Sequence, residues 1–328
     1  MRRRVFVGLL TSAATVWPLL AMAQQGGPVR RVGVFLTGSL TDTESVVRLG
    51  EFQKGMRALG WSEGTNVRFD YRAATDEDEL RAQAKELTAL APDVIFAATP
   101  PTVMALLRVN RSVPIVFAAV TDPVGLGIVQ SLAHPGGNAT GFLSAEFSFG
   151  GKWLELLSEI APGTRRVGVL TDPENRGSAG QFATIQTAAT SKGIEAILLS
   201  FHDPADIERS IAGFASVPNG GLVVLRIVET ITYRDLIAKL AAKYRLPAVY
   251  PLKTFVTSGG LVSYGPDIVA QFRQAAGYVD RILKGERPGE LPVQTPTNYQ
   301  LTINLNAAKA IGLTMPPTVL ARADEVIE

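Results

Sequence analysis

At 328 residues the chain is long enough for two domains, because single hydrophobic cores stop growing near ~250–300 residues. The absence of cysteine excludes disulfides, thiolate catalysis and cysteine-held metals, and two histidines cannot supply a zinc site. The formal charge of +2 includes Arg2, Arg3 and Arg4; without them the 32 basic side chains fall to 29 against 30 acidic ones, which excludes the basic surface that nucleic-acid binding needs.

Residues 1–23 run from these arginines through an apolar stretch to Ala21-Met22-Ala23, ahead of Gln24. That is the order of a bacterial signal peptide, and cleavage is expected after Ala23. Pro18 and the interspersed Ser and Thr argue against a stable membrane span. The mature protein is therefore expected free in a periplasm. Arg3-Arg4-Val5-Phe6-Val7 also resembles a twin-arginine export signal.

The run "RVGVFL" over 31–36 reads as a strand buried on both faces. A helix is expected over 49–60, with Phe52, Met56 and Leu59 on one stripe and Gly60 at its end. An alternating strand follows over 66–72, then a helix over 76–90 opened by acids that suit its dipole. "DVIFAA", a helix started by Pro100 and Pro101, and "PIVFAA" complete a βαβαβαβ order, the signature of a doubly wound parallel sheet.

From Arg165 the order returns. "RRVGVF" at Arg30 is matched by "RRVGVL" at Arg165, and "SVPIVF" at Ser112 by "RLPAVY" at Arg245, at almost the same spacing. Strands are expected at "RVGVLT", "IEAILLS", "GLVVLRI", "LPAVYP" and "GGLVSYG", with helices near 180–192, 203–215 and 232–245 between them. The fold class is thus α/β, with two similar doubly wound parallel-sheet lobes. A long helix over 267–285 and an extended, Pro-rich stretch from Leu291 into a last helix follow. The chain is expected to pass between lobes near 141, 265 and 300, forming a multi-crossing hinge. One lobe takes residues 24–141 and 266–300, the other 142–265 and 301–328.

In open α/β sheets ligands bind beyond the carboxyl ends of the strands, at the switch point. This selects Thr37, Gly38 and Ser39; Ala98, Thr99 and Pro100; and Thr121 and Asp122 in the first lobe. In the second it selects Thr171 and Asp172, Arg226 and Glu229, Tyr250 and Tyr264. Free N–H groups and hydroxyls at helix starts suit a carboxylate. Asp122 or Glu229 would pair with an ammonium, and the tyrosines would stack on an apolar group. Each residue also has a plainer role. Asp122-Pro123 and Asp172-Pro173 suit turns or N-caps, Thr99 suits a helix cap, the tyrosines suit cleft-edge packing, and Arg226 with Glu229 suits a solvated ion pair.

No G-x-S-x-G elbow or Walker loop occurs, and no G-x-G-x-x-G follows either first strand. His134 lies in a Pro-Gly-Gly turn and His202 in a loop, so no enzyme signature emerges. Neither a cofactor nor a metal is expected.

The block "VTDPVGLGIVQSLAHPGGNATG" and the block "ILKGERPGELPVQTPTNYQLTINLNAA" resemble the substrate-binding proteins of ABC importers, in the family with tryptophan/tyrosine-type members. The resemblance spans the mature chain and implies a type I periplasmic binding protein, two lobes closing on a small molecule without catalysis. It also implies a permease in the inner membrane as partner, with its ATPase; a monomer is expected. The loops at Thr37, 97–100, 120–123 and 171–173 match positions where the family lines its cleft. Aromatic-amino-acid members tend to carry an acid and a histidine after the first strand, where this chain has Thr37-Gly38-Ser39-Leu40. An amino acid or another small carboxylate is the expected ligand. The alternatives are a ligand sensor that signals to a receptor and a secreted α/β enzyme.

Overall fold

The computed structural model describes residues 28–144, 149–172 and 176–328. The expected signal peptide lies outside them. The first lobe contains β1 (Arg30–Thr37), α1 (Thr43–Ala58), β2 (Val67–Ala74), α2 (Glu77–Ala89), β3 (Val94–Ala98), α3 (Pro100–Val109), β4 (Ile115–Val120) and β5 (Ala139–Leu143). Its five strands are all parallel, in the order β2-β1-β3-β4-β5. Every residue of β3 and β4 is buried, as the apolar runs require of strands covered on both faces.

The second lobe begins with α4 (Phe149–Ile160), β6 (Arg166–Thr171), α5 (Arg176–Ser191), β7 (Glu195–Ser200) and α6 (Pro204–Ala215). It continues with β8 (Gly220–Val224), α7 (Val228–Thr232), α8 (Arg234–Lys243), β9 (Ala248–Tyr250), α9 (Lys253–Thr257) and β10 (Val262–Pro266). Then come α10 (Ile268–Leu283), a 3₁₀ turn (Pro288–Glu290), β11 (Tyr299–Asn304), α11 (Leu305–Ile311), α12 (Pro317–Leu320) and β12 (Glu325–Ile327). The second sheet runs β12-β11-β10-β9-β8-β6-β7, so β7-β6-β8-β9-β10 repeats the order of the first sheet. The expected pair of doubly wound lobes is therefore present. One feature differs from expectation: β11 pairs antiparallel with β10, and the C-terminal β12 then adds in parallel to β11. The Pro-rich stretch before β11 hid both strands from pattern reading.

The chain leaves the first sheet after Leu143, re-enters that lobe at Asp267 and departs again before Tyr299. The returning helix α10 packs on α1 and β4. Its Phe272 meets Phe96 edge-on at 5.0 Å, and Phe96 stacks on Phe52 at 4.5 Å. Gln271, buried on the same helix, donates to Leu143 O at 2.7 Å and accepts from Ala119 N at 3.3 Å. Buried side chains of both lobes join in one connected cluster, from Phe52 and Phe96 to Leu170, Leu222 and Ile227.

One glycine in each lobe permits close backbone approach, Gly141 on β5 and Gly265 on β10. A Cβ on Gly141 would stand 2.0 Å from Phe117 O, and one on Gly265 would stand 2.0 Å from Pro251 O. Helix α1 starts at Thr43, six positions before the apolar stripe suggested, because Asp42 caps it by accepting from Ser45 N at 2.9 Å. Val46 and Val47 in these extra turns are exposed, and so the stripe did not extend to them.

Candidate functional site

The carboxyl ends of the first lobe's strands form a cradle held in uncommon backbone geometry. Thr99 has φ 81°, Ala119 φ 59° and Asp122 φ 48°, all in a region that non-glycine residues rarely adopt. The register of β4 against β5 shifts between Phe117 and Val120, which turns Ala119 out of the ladder. Thr99 makes no side-chain cap on α3, although Pro100 opens that helix. Its Oγ1 instead lies 2.6 Å from Thr37 Oγ1, joining the ends of β1 and β3. Beside them, Gly38 N donates to Ala74 O at 2.9 Å, Ser39 Oγ accepts from Thr41 N at 3.1 Å, and Ala98 O accepts from Thr102 Oγ1 at 2.8 Å. Thr121 Oγ1 lies 2.6 Å from Ser144 Oγ, and Asp122 Oδ1 accepts from Gly125 N at 2.9 Å in a tight turn.

In the second lobe Thr171 Oγ1 donates to Ser178 Oγ at 2.7 Å, with Asp172 next along the chain. Arg226, just past β8, crosses to the first lobe and donates through Nη1 to Ala119 O at 3.3 Å. Its Nε is shut off from solvent without a hydrogen-bond partner. Burial pushes the guanidinium down to about 10, Arg48 adds like-charge repulsion and Glu44 opposes both. Arg226 stays protonated at neutral pH. Glu229 sits half-buried in the first turn of α7, and no ion pair joins it to Arg226 among the described residues.

The two tyrosines stand apart from this group. Tyr250 is fully buried with its ring stacked on Phe255 at 5.0 Å, and burial raises its phenol above the usual range. Tyr264 stacks on Phe149 at 5.1 Å and leans on Tyr299 at 5.9 Å, beside a 390 Å³ cavity rimmed by Lys152, Glu155 and Arg322. Phe149, Tyr264 and Tyr299 lie where the chain enters or leaves the second lobe, so the cluster braces the crossings at that end.

Pattern reading missed the first turns of α1. Glu44 Oε2 pairs with Arg48. Glu44 and Arg48 line a 220 Å³ cavity between the lobes, walled by Leu252 and Thr254 from the second lobe and by Asp267 and Ile268 from the crossing. The Asp42 cap followed by an acid was the available signal for this helix start. The lobes approach one another at this cavity, and Arg226 joins them at Ala119 O, an arrangement suited to a small molecule held between moving lobes.

Residues 41–327 match the family described as ABC transporter substrate binding protein. This chain belongs to that family. The binding protein is 25% identical over 269 residues to the tyrosine-binding protein of Clostridioides difficile strain R20291, covering 80% of this chain and 75% of that one. A solved conserved domain protein from Vibrio cholerae superposes with a TM-score of 0.84 at 29% identity, covering 91% of this chain and 100% of the other. An ABC domain from Streptococcus pneumonia in complex with L-Trp gives a TM-score of 0.84 at 22% identity, covering 92% of this chain and 100% of the other, and so shares the fold. Family membership makes the protein a solute-binding component of an ABC transporter, with a small-molecule ligand and a permease as the general partners. Such proteins work outside the cytoplasm. Among the described residues no helix is long and apolar enough to cross a membrane.

Proposed function

We propose that the binding protein captures an amino acid or a similar small carboxylate between its lobes and delivers it to an inner-membrane permease without chemical change. The observation that carries this reading is the bridge from Arg226 in the second lobe to Ala119 at the strained end of β4 in the first. A protonated guanidinium held at the strand ends of the first lobe offers chemistry for an anion. The relative from Clostridioides difficile, named for tyrosine, supports an amino-acid ligand. In this reading Thr37, Gly38, Ser39, Ala98, Thr99, Pro100, Thr121 and Asp122 line one wall, and Thr171, Asp172, Arg226 and Glu229 the other; Tyr250 and Tyr264 support the second lobe from behind. The protein is exported by residues 1–23, is cleaved after Ala23 and acts as a periplasmic monomer.

The test is a thermal-shift screen of the purified protein against amino acids, aromatic acids, small organic acids and sugars, with calorimetry on each hit. A true ligand raises the melting temperature by mass action, binds at one per chain and is recovered unchanged. Turnover of any compound overturns the transport reading. A sugar as the tightest hit overturns the carboxylate assignment.

A further inference from the structure

The 390 Å³ cavity beside Tyr264 lies apart from the space between the lobes, since every residue that lines it belongs to the second lobe. Its volume falls within the ~300–1,000 Å³ typical of small-molecule sites. Lys152, Glu155, Leu156 and Glu159 recur at helical spacing and turn one stripe of α4 toward it. Tyr264 of β10 stands opposite Leu301 of β11, and Tyr299 precedes Leu301 by two positions, so the three share one face of the sheet. Buried Phe149 stacks on Tyr264 at 5.1 Å and on Tyr299 at 4.6 Å, and Trp153 Nε1 donates to Tyr264 O at 2.6 Å. The aromatic wall is thus fixed by its own packing. The rim carries three carboxylates against two cations. Glu159 is satisfied, one oxygen by Arg322 and the other by Thr318 Oγ1 at 3.2 Å, so its charge and that of Arg322 cancel. Glu155 is exposed, with Lys152 Nζ 3.9 Å away and too far for a hydrogen bond. Asp324 Oδ2 accepts from Leu301 N at 2.7 Å, and no cation pairs with Asp324 among the described residues. Two carboxylates with capacity to spare therefore share the rim with one loosely held ammonium, beside rings of a kind that attract cations.

We propose that this cavity is a second ligand site, separate from the cleft, for a small organic cation of the quaternary-ammonium class. Its methyl groups lie against Tyr264, Tyr299 and the buried floor of Leu156 and Leu301, and Glu155 and Asp324 balance its charge. A quaternary ammonium spreads its charge over methyl groups and donates no conventional hydrogen bond, so it asks for aromatic or apolar contact with carboxylates near by. The cavity supplies both. An anion would meet the uncompensated carboxylates, and a bare metal ion would leave the rings and the apolar floor uncovered. Lys152 is the one opposing group, and it is exposed on a flexible stem. None of the residues assigned to the two walls of the cleft lines this cavity, so the assignment does not depend on what the cleft holds.

The experiment is calorimetry of the purified protein with choline at matched ionic strength, alongside its neutral carbon isostere, in which a tert-butyl group replaces the trimethylammonium. Choline is expected to bind at one per chain and the isostere roughly tenfold more weakly or worse. Glu155→Gln and Asp324→Asn should each weaken choline by about threefold, the asparagine keeping an acceptor for Leu301 N, while Lys152→Gln should tighten it by about threefold. Substitutions of opposite sign on one rim are not the signature of a damaged fold, and Glu155 and Lys152 are exposed. No binding of choline up to about 10 mM overturns the proposal. So does an isostere that binds as well as choline, because the charge is then not read. Choline binding that none of the three substitutions moves places the cation elsewhere and overturns it too. The wild-type comparison needs no substitution. Failure here leaves the carboxylate reading of the cleft standing, and failure of that reading leaves this site untouched.

Discussion

The two lobes share one strand order, yet they meet the cleft in opposite ways. In the first, the strand ends are strained but satisfied. Thr99, Ala119 and Asp122 hold positive φ, and hydroxyl pairs, a turn and Gln271 fix them in place. In the second, the positive-φ non-glycine residues among the described ones, Asn219 and Arg245, precede β8 and β9 at the other end of the sheet. The second lobe carries most of the unmet polarity among the described residues: Arg226 Nε, Tyr250 Oη, Thr254 Oγ1 and Ser263 Oγ are buried without partners, against Glu44 Oε1 in the first. The difference teaches how a duplicated topology divides its work. Strain persists only where the surroundings over-determine it, which makes a rigid cradle. In the proposed reading, a ligand supplies what Arg226 Nε lacks.

The largest effect should fall on both lobes alike. Gly141→Val and Gly265→Val each drive a side chain into a backbone carbonyl 2.0 Å from the Cβ position, and each should destabilise by about 3–5 kcal/mol in thermal melts. An unchanged melting temperature for either would break the equivalence of the two positions.

The next separates the lobes. At matching places in the repeat, Arg31 Nε meets Asp70 at 2.6 Å while Arg166 Nε meets an exposed Glu195 at 3.4 Å. The hydrogen bond from Arg31 holds the Asp70 carboxyl below its ordinary range, against the opposing effect of burial. Its contribution is therefore complete above about pH 4, the unfolded value, and is lost as pH falls through the lower folded value. Asp70→Asn should cost about 1–3 kcal/mol at neutral pH and flatten the acid limb of the stability curve. A variant that keeps the wild-type acid slope would show that another carboxylate sets it.

Thr99→Gly relieves positive φ but removes the Oγ1 pair with Thr37, so stability should move by no more than about 1 kcal/mol, while affinity for any hit from the screen falls. Unchanged affinity would remove Thr99 from the site. Glu195→Gln is the smallest change, expected within about 0.5 kcal/mol in urea titration because an exposed ion pair contributes little. A loss as large as that of Asp70→Asn would erase the contrast between the two pairs.

Much of this architecture was legible from periodicity alone. Buried parallel strands are continuous apolar runs, and "RRVGV" twice in one chain marked the same strand in both lobes. The strand-end rule led to Thr37, Thr99, Thr121, Thr171 and Arg226 because carboxyl ends follow directly from strand positions. It did not reach Glu44 and Arg48, because exposed Val46 and Val47 broke the apolar stripe of α1 and hid its first turns. Nor did it separate Tyr250 and Tyr264 from the rest, since the face of a sheet on which a side chain packs depends on neighbours such as Phe255 and Phe149.

The sequence by itself determined the α/β class, the duplication, the positions of the strand ends and the absence of cysteine chemistry, because each is written in local spacing or composition. Only the tertiary structure decided which of those strand-end groups meet, how the register of β4 shifts at Ala119, and that Arg226 from one lobe donates to Ala119 O of the other. Those facts depend on the packing of α10 and on the three passages of the chain between lobes. Such long-range contacts bring together residues that no local pattern relates.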